Sequence, residues 1–244
     1  MHAGRVRAKA IRRILEPHSQ TAELFGGATY SEDGFATTHF VGFLEEPKFL
    51  AAYKEALAGI PADRVANFSS IRWRAHICAW AAQQTKDLEG DFVECGVWWG
   101  MLSKIMCEYI DFGSLPKTFY LIDSWGLVDG SHPSPDYRDD IFGEVEARFA
   151  SYPNINLVRG LVPEALRRVP SEKIAFLAID MNGALPELAA LEYFYDKLVP
   201  GAVVYLHDYG WQYPELRKVV DGFLADKPES VLNFPSGNAI FIKT

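Results

Sequence analysis

Five short apolar runs from Asp91 onward in this 244-residue chain each end in side chains able to do chemistry. Glu94 closes DFVE just ahead of Gly96, Asp123 closes TFYLID, Arg159 and Gly160 close INLVRG, Asp180 closes IAFLAID, and His207 with Asp208 closes AVVYLHD. Carboxylates accept hydrogen bonds from diols and ammonium groups, and an imidazole gains or loses charge near neutral pH. Helix capping explains any one of these positions, since Asp commonly opens the next helix. Five such ends facing one crevice point instead to a ligand that is cationic or rich in hydroxyls. A phosphate does not suit the same place. Gly96 and Gly100 are four apart, so the loop is G-x-x-x-G rather than G-x-G-x-x-G, no Lys-Ser or Lys-Thr follows, and Val97, Trp98 and Trp99 make it bulky. Asp123 lies 27 residues beyond Gly96, within reach of the place where a second-strand acid takes a ribose diol.

The runs that carry these residues lack polar alternation, as strands covered on both faces by crossover helices do. DFVEC, TFYLID, INLVRG, IAFLAID and AVVYLHD therefore predict five parallel strands in a doubly wound Rossmann-like α/β sheet, whose ligand lies beyond the strands' carboxyl ends. SVLNF and AIFIK flank the turn PSGN and predict a C-terminal hairpin with one antiparallel strand. Before Asp91 the texture differs. PKFLAAYKEAL and IRWRAHICAWAAQQTKDL have helical spacing, so residues 1–90 are expected to form an N-terminal helical cap that does not fold alone, and 91–244 the ligand-binding core.

Composition removes other classes. A formal charge of -8 and 49% hydrophobic residues speak against nucleic acid, anionic membrane and disorder, and favour a small-molecule partner. Cys78, Cys95 and Cys107 have no metal-site spacing and sit in apolar stretches, which predicts reduced core thiols and a cytoplasmic protein. The basic N-terminal segment has no signal-peptide core, and as an amphipathic element it is expected to meet a neighbouring subunit, making a homo-oligomer. S-adenosylmethionine answers the ligand requirement: it carries a ribose, an ammonium and a sulfonium, and no phosphate.

The blocks DFVECGVWWG, FYLIDSWGL, NLVRGLVPEAL, IAFLAIDMN and LEYFYDKLVPGAVVYLHDYGW resemble the macrocin O-methyltransferase family, class I enzymes that methylate sugar hydroxyls. The resemblance runs from about Asp91 to Thr244. It implies that Glu94 and Gly96 hold the methionine end of the cofactor, Asp123 and Ser124 the ribose, and Gly160 and Leu161 the adenine edge, with Ser69 and Ser70 closing over the methionine carboxylate; capping explains those two serines equally well. It also implies a divalent metal on Asp180, His207 and Asp208. Relatives carry an Asp-Asp pair after the fifth strand and an Asp two residues beyond the fourth-strand acid, where this chain has His207-Asp208 and Asn182. Magnesium prefers oxygen ligands, so His207 disfavours it and leans towards softer ions.

Asn182 orients a hydroxyl but takes no proton at neutral pH. Asp180, His207 and His132 are therefore the catalytic candidates, His132 also reading as an ordinary loop histidine. Tyr209 and Trp211, with Asn182, are candidates for a sugar platform. Trp73, Trp80 and His76 follow helical spacing and read as packing, and Arg72 and Arg74 as solvated helix arginines. The expected function is O-methylation of a sugar, glycoside or related small natural product. The alternative is a cofactor-binding protein of the same fold that has lost transfer chemistry.

Overall fold

The computed structural model describes residues 27–65, 70–127, 140–211 and 214–244. Its first elements are two short strands, β1 (Tyr30–Glu32) and β2 (Phe35–Thr37), paired antiparallel across Asp33-Gly34. Both turn residues have left-handed backbone (φ 52° and 82°), the geometry that a two-residue hairpin needs and that Asp-Gly favours. The region expected to be a helical cap thus includes a hairpin. Helix α1 (Pro47–Leu57) starts on its proline, whose missing N–H costs nothing at that position, and buries Phe49, Ala52, Tyr53 and Ala56 along one face.

Helix α2 (Arg72–Thr85) is buried on most of its circumference by Ala75, Ile77, Cys78, Ala79, Ala81 and Ala82. The hairpin grips its first turn. Tyr30, Phe35 and Phe43 surround Trp73 with ring centroids 5.2–5.6 Å apart, and Arg72 Nε donates to both oxygens of Glu32 at 2.9 and 3.0 Å. Ala75 and Cys78 share one apolar cluster with Phe92 and Phe176. The described residues before Asp91 are therefore a layer over the sheet.

That sheet has seven strands. β3 (Asp91–Cys95), β4 (Phe119–Asp123), β5 (Ile155–Arg159), β6 (Ile174–Ile179) and β7 (Leu198–Leu206) run parallel in the order β5-β4-β3-β6-β7. The terminal pair, β8 (Leu232–Asn233) and β9 (Ala239–Ile242), completes it, with β9 antiparallel to both β7 and β8. Alternate residues of each strand serve opposite layers. Phe92, Ala178 and Val203 face α1, α2 and helix α3 (Met101–Ile110), whereas Val93, Leu177 and Val204 face the other layer.

Helix α4 (Phe142–Phe149) packs near the β5 edge, and α5 (Ala184–Phe194) and α6 (Pro214–Leu224) cover the second face, α6 through its stripe Leu216, Val220, Leu224. The chain leaves β3 for β4 on one side and later returns to β6 on the other, so the order reverses between β3 and β6 and a crevice opens at their carboxyl ends. All three cysteines are buried thiols, and no helix among the described residues is long and apolar enough to cross a membrane.

Candidate active site

A cavity of about 510 Å³ opens at that switch point, within the range that holds a cofactor-sized molecule. Its floor is the turn from β3 into α3. Gly96 sits there with φ 87°, and a Cβ added to it would lie 1.8 Å from the backbone oxygen of Asp180, because the ends of β3 and β6 cross at contact distance. Gly100 (φ 68°) faces the Phe149 ring, which a Cβ would meet at 2.5 Å. Sequence here dictates backbone path, and the path leaves the crevice clear.

On the β3–β4 side the acids are tied to the loop itself. Asp123 Oδ2 accepts the N–H groups of Val97 and Trp98 at 2.7 and 2.8 Å, and Oδ1 accepts that of Trp125 at 2.9 Å. Trp98 and Trp125 both have left-handed backbone (φ 49° and 40°), and the Trp125 indole N–H donates to the Trp98 carbonyl at 2.9 Å, which fixes the pair. A carboxylate offers about four acceptor sites. Three are filled by backbone, and the fourth faces Ser124 Oγ at 3.4 Å. Glu94 lies deeper, 2% exposed, and accepts from Ser103 of α3. Burial pushes its carboxyl up, Ser103 opposes, and the Asp180 charge adds to the rise, to about 8.

On the β6–β7 side the groups are tied to one another. His207 Nδ1 lies 3.2 Å from Asp180 Oδ1 and 2.9 Å from Asp208 Oδ1, so its N–H is shared between two carboxylates. Burial alone would depress the imidazole pKa. The two carboxylates outweigh burial and a nearby arginine, and raise it to about 10. Glu187 of α5, buried behind them, is pushed up to about 8 by burial and then by Asp180 and Asp208.

The arginine is Arg74 of α2. It is 3% exposed, and its Nη1 lies 3.2 Å from both ring nitrogens of His207, 3.2 Å from the His207 carbonyl and 3.6 Å from Asp208 Oδ1. Nε donates to Asp33 at the hairpin turn at 2.5 Å, Nη2 donates to the Ser236 carbonyl at 2.7 Å, and the Trp211 ring covers the guanidinium at 5.2 Å. Arg72 and Arg74, read from sequence as solvated, are both paired, and Arg74 stands inside the site.

This bears on a metal. Asp180, His207 and Asp208 carry ligand atoms within 4.8 Å of one another. Yet the imidazole N–H points at the carboxylates, and a permanent cation stands beside them. A divalent ion about 4 Å from a guanidinium meets roughly 8 kcal/mol of repulsion even at an effective dielectric near 20. One nitrogen and two already bonded carboxylates do not make the oxygen octahedron of magnesium. The residues present do not fit that ion.

Of the other expected site residues, Ser70, Asn182 and Trp211 line the cavity, Asn182 with left-handed backbone (φ 54°). Gly160 and Leu161 sit past β5, where Gly160 N–H donates to the Asp123 carbonyl at 2.8 Å, but they do not line it. Tyr209 turns away, its hydroxyl donating to Asp221 of α6 at 2.6 Å; the proposed platform loses that member. Ser69 and His132 lie outside the described residues. Asp33, Gly34, Met101 and Leu102 also line the cavity and were not foreseen.

Comparison with known proteins adds the following. The model of the macrocin-O-methyltransferase (TylF) family matches residues 73–228. No curated protein sequence matches significantly. Similar solved structures include the O-methyltransferase NovP (TM-score 0.61, 20% identity, covering 70% of this chain and 79% of NovP) and the calicheamicin methyltransferase CalS11 (0.57, 17%, 84% and 94%). The methyltransferase PaMTH1 of Podospora anserina, solved with bound SAH, is a third (0.56, 14%, 81% and 88%). At such identities the likeness establishes the fold.

Proposed function

The chain belongs to the macrocin-O-methyltransferase family, and from that premise we propose that it transfers the methyl group of S-adenosylmethionine to a hydroxyl of a sugar, glycoside or related small natural product. One observation carries the reading: in a chain of this family, a glycine turn with no room for a side chain and the carboxyl groups of Glu94, Asp123 and Asp180 meet on one cavity at the sheet's switch point. CalS11, described as a TDP-rhamnose 3′-O-methyltransferase, and SAH-bound PaMTH1 support the acceptor class and the donor respectively.

S-adenosylmethionine supplies a methyl carbon on a sulfonium; as the acceptor oxygen bonds to that carbon, the C–S electron pair stays on sulfur and the hydroxyl proton must go elsewhere. Glu94 faces the ammonium end of the donor, and the remaining Asp123 site takes one ribose hydroxyl. Asn182 and Trp211 border the acceptor. His207, charged at neutral pH, holds a proton rather than accepting one, so the base assigned to it passes to Asp180, half-buried and on the cavity wall. Holding the two reactants in line supplies much of the acceleration, and removal of the hydroxyl proton the rest.

Calorimetry with S-adenosylhomocysteine tests the donor site, and chromatographic detection of its release from S-adenosylmethionine with nucleotide-linked sugars and glycosides tests transfer. Failure to take up S-adenosylhomocysteine would sink the reading. Uptake without turnover on any acceptor would leave the binding-protein alternative in its place.

A further inference from the structure

We propose that Arg74, held by Asp33, stands where a divalent cation would stand among Asp180, His207 and Asp208, and that methyl transfer by this enzyme needs no divalent metal. The inference rests on the methyltransferase reading for the word transfer, and on geometry for the rest.

Four separate segments converge on the guanidinium: the β1–β2 turn through Asp33, α2 through Arg74 itself, the end of β7 through His207 and Asp208, and the β8–β9 turn through the Ser236 carbonyl. Trp211 closes the remaining face. Burying a charge this completely is costly unless every donor is met and the charge is compensated. An ion pair meant only to staple the hairpin to α2 would need Asp33 alone, and Arg72 with Glu32 already makes such a staple one turn edge away. Arg74 goes further, into the acidic pocket at the strand ends.

The family resemblance implies three carboxylates around a divalent ion. Here one of those carboxylate positions is His207, and a guanidinium stands beside that imidazole and Asp208, so the two departures read as one change of design. A guanidinium also fixes direction: its planar donors bond Asp33 and the His207 and Ser236 carbonyls in one orientation, with Asp208 3.6 Å away. Arg74 is accordingly a positioning residue, acting on the acceptor through the groups it orients.

Full-length protein is freed of metals with EDTA and titrated with MnCl2 in the presence of S-adenosylhomocysteine, following free Mn2+ by its paramagnetic resonance. The wild type should take up no Mn2+ up to about 1 mM, a range where a weak all-oxygen site would already fill. Arg74→Ala/His207→Asp should gain one Mn2+ per chain, lost again on adding Asp180→Asn. A mere structural clamp would lose stability in the double variant without creating a metal site. Uptake of one Mn2+ by the wild type, abolished by Asp180→Asn, overturns the inference, and this measurement stands even if the double variant does not fold. Calorimetric binding of S-adenosylhomocysteine to the EDTA-treated wild type separates the two claims: its absence defeats the methyltransferase reading, whereas its presence with tight Mn2+ uptake defeats this inference alone.

Discussion

The two rims of the cavity are built differently. On the β3–β4 rim the chemistry is local: Glu94, Gly96, Val97, Trp98 and Asp123 come from one strand-turn-helix unit and the next strand, and the Asp123 carboxylate is spent mainly on the backbone N–H groups of the loop beside it. On the β6–β7 rim side chains bind side chains, and the groups come from residues 33, 74, 180, 207 and 208, distant in sequence. The first rim is a shaped backbone with acids attached; the second is a charge network draped over strand ends. Damage to the first should strike fold and donor binding together, and damage to the second should spare donor binding.

Gly96→Ala should have the largest effect. A Cβ 1.8 Å from the Asp180 oxygen forces β3 and β6 apart, and φ 87° adds backbone strain, so we expect more than about 4 kcal/mol of lost stability in urea unfolding and no measurable S-adenosylhomocysteine binding. Normal binding in this variant would break the comparison at once. Next come Asp123→Ala and Arg74→Met. Asp123→Ala leaves three backbone donors seeking water, and costs about 3 kcal/mol with a loss of donor affinity on the order of 100-fold. Arg74→Met strands buried Asp33 and Asp208 and costs a similar ~3–5 kcal/mol, but calorimetry should find donor affinity changed less than about threefold. Equal losses of affinity in the two variants would erase the distinction between the rims.

The same contrast explains what the sequence discloses. Strand ends announce themselves, so Glu94, Asp123, Asp180, His207 and Asp208 are legible as rim residues, and the parallel sheet with its antiparallel closing strand follows from unalternated apolar runs and the PSGN turn. Asp33 was within reach, since Asp-Gly between Tyr30-Ser-Glu and Phe35-Ala-Thr is a hairpin signal. Arg74 was also within reach. It shares the helical stripe of Cys78, Ala81 and Thr85, all buried, and an arginine on such a stripe cannot be solvated. What no local pattern carries is which carboxylate that buried charge would find, because Asp33 and Asp208 meet it only through tertiary packing.

Stability should also depend on pH through the buried groups of both rims. Glu94 keeps its proton in the folded state to about pH 8, against an ordinary value near 4.5, and His207 keeps its proton to about 10, against 6.5. Each folded pKa is raised, so each group's contribution is complete below its unfolded value and is lost as pH rises through the folded one. The melting temperature should therefore fall from pH 6 to pH 9 by about 5 °C or more. Glu94→Gln should flatten part of the fall up to pH 8, to which Glu187, also raised to about 8, contributes the rest, and His207→Gln the portion that continues towards 10. Melting that rises across this range would contradict both assignments.

The smallest effect is expected where two aromatic residues two positions apart part company. Trp211 lies on the cavity and covers Arg74, whereas Tyr209 donates to Asp221 on the far side of the β7 end, where burial and then Asp221 raise its phenol to about 12. An exposed hydrogen bond of this kind contributes at most about 1 kcal/mol, so Tyr209→Phe should shift urea stability by less than that. Turnover should be untouched, because the hydroxyl removed faces α6 rather than the acceptor. Trp211→Ala removes a wall of the cavity and the lid of the guanidinium, so its loss should appear in the acceptor KM while S-adenosylhomocysteine binding holds. If Tyr209→Phe instead slows transfer and Trp211→Ala does not, the β6–β7 rim must turn its other side to the acceptor, and the network around Arg74 would lie behind the chemistry rather than beside it.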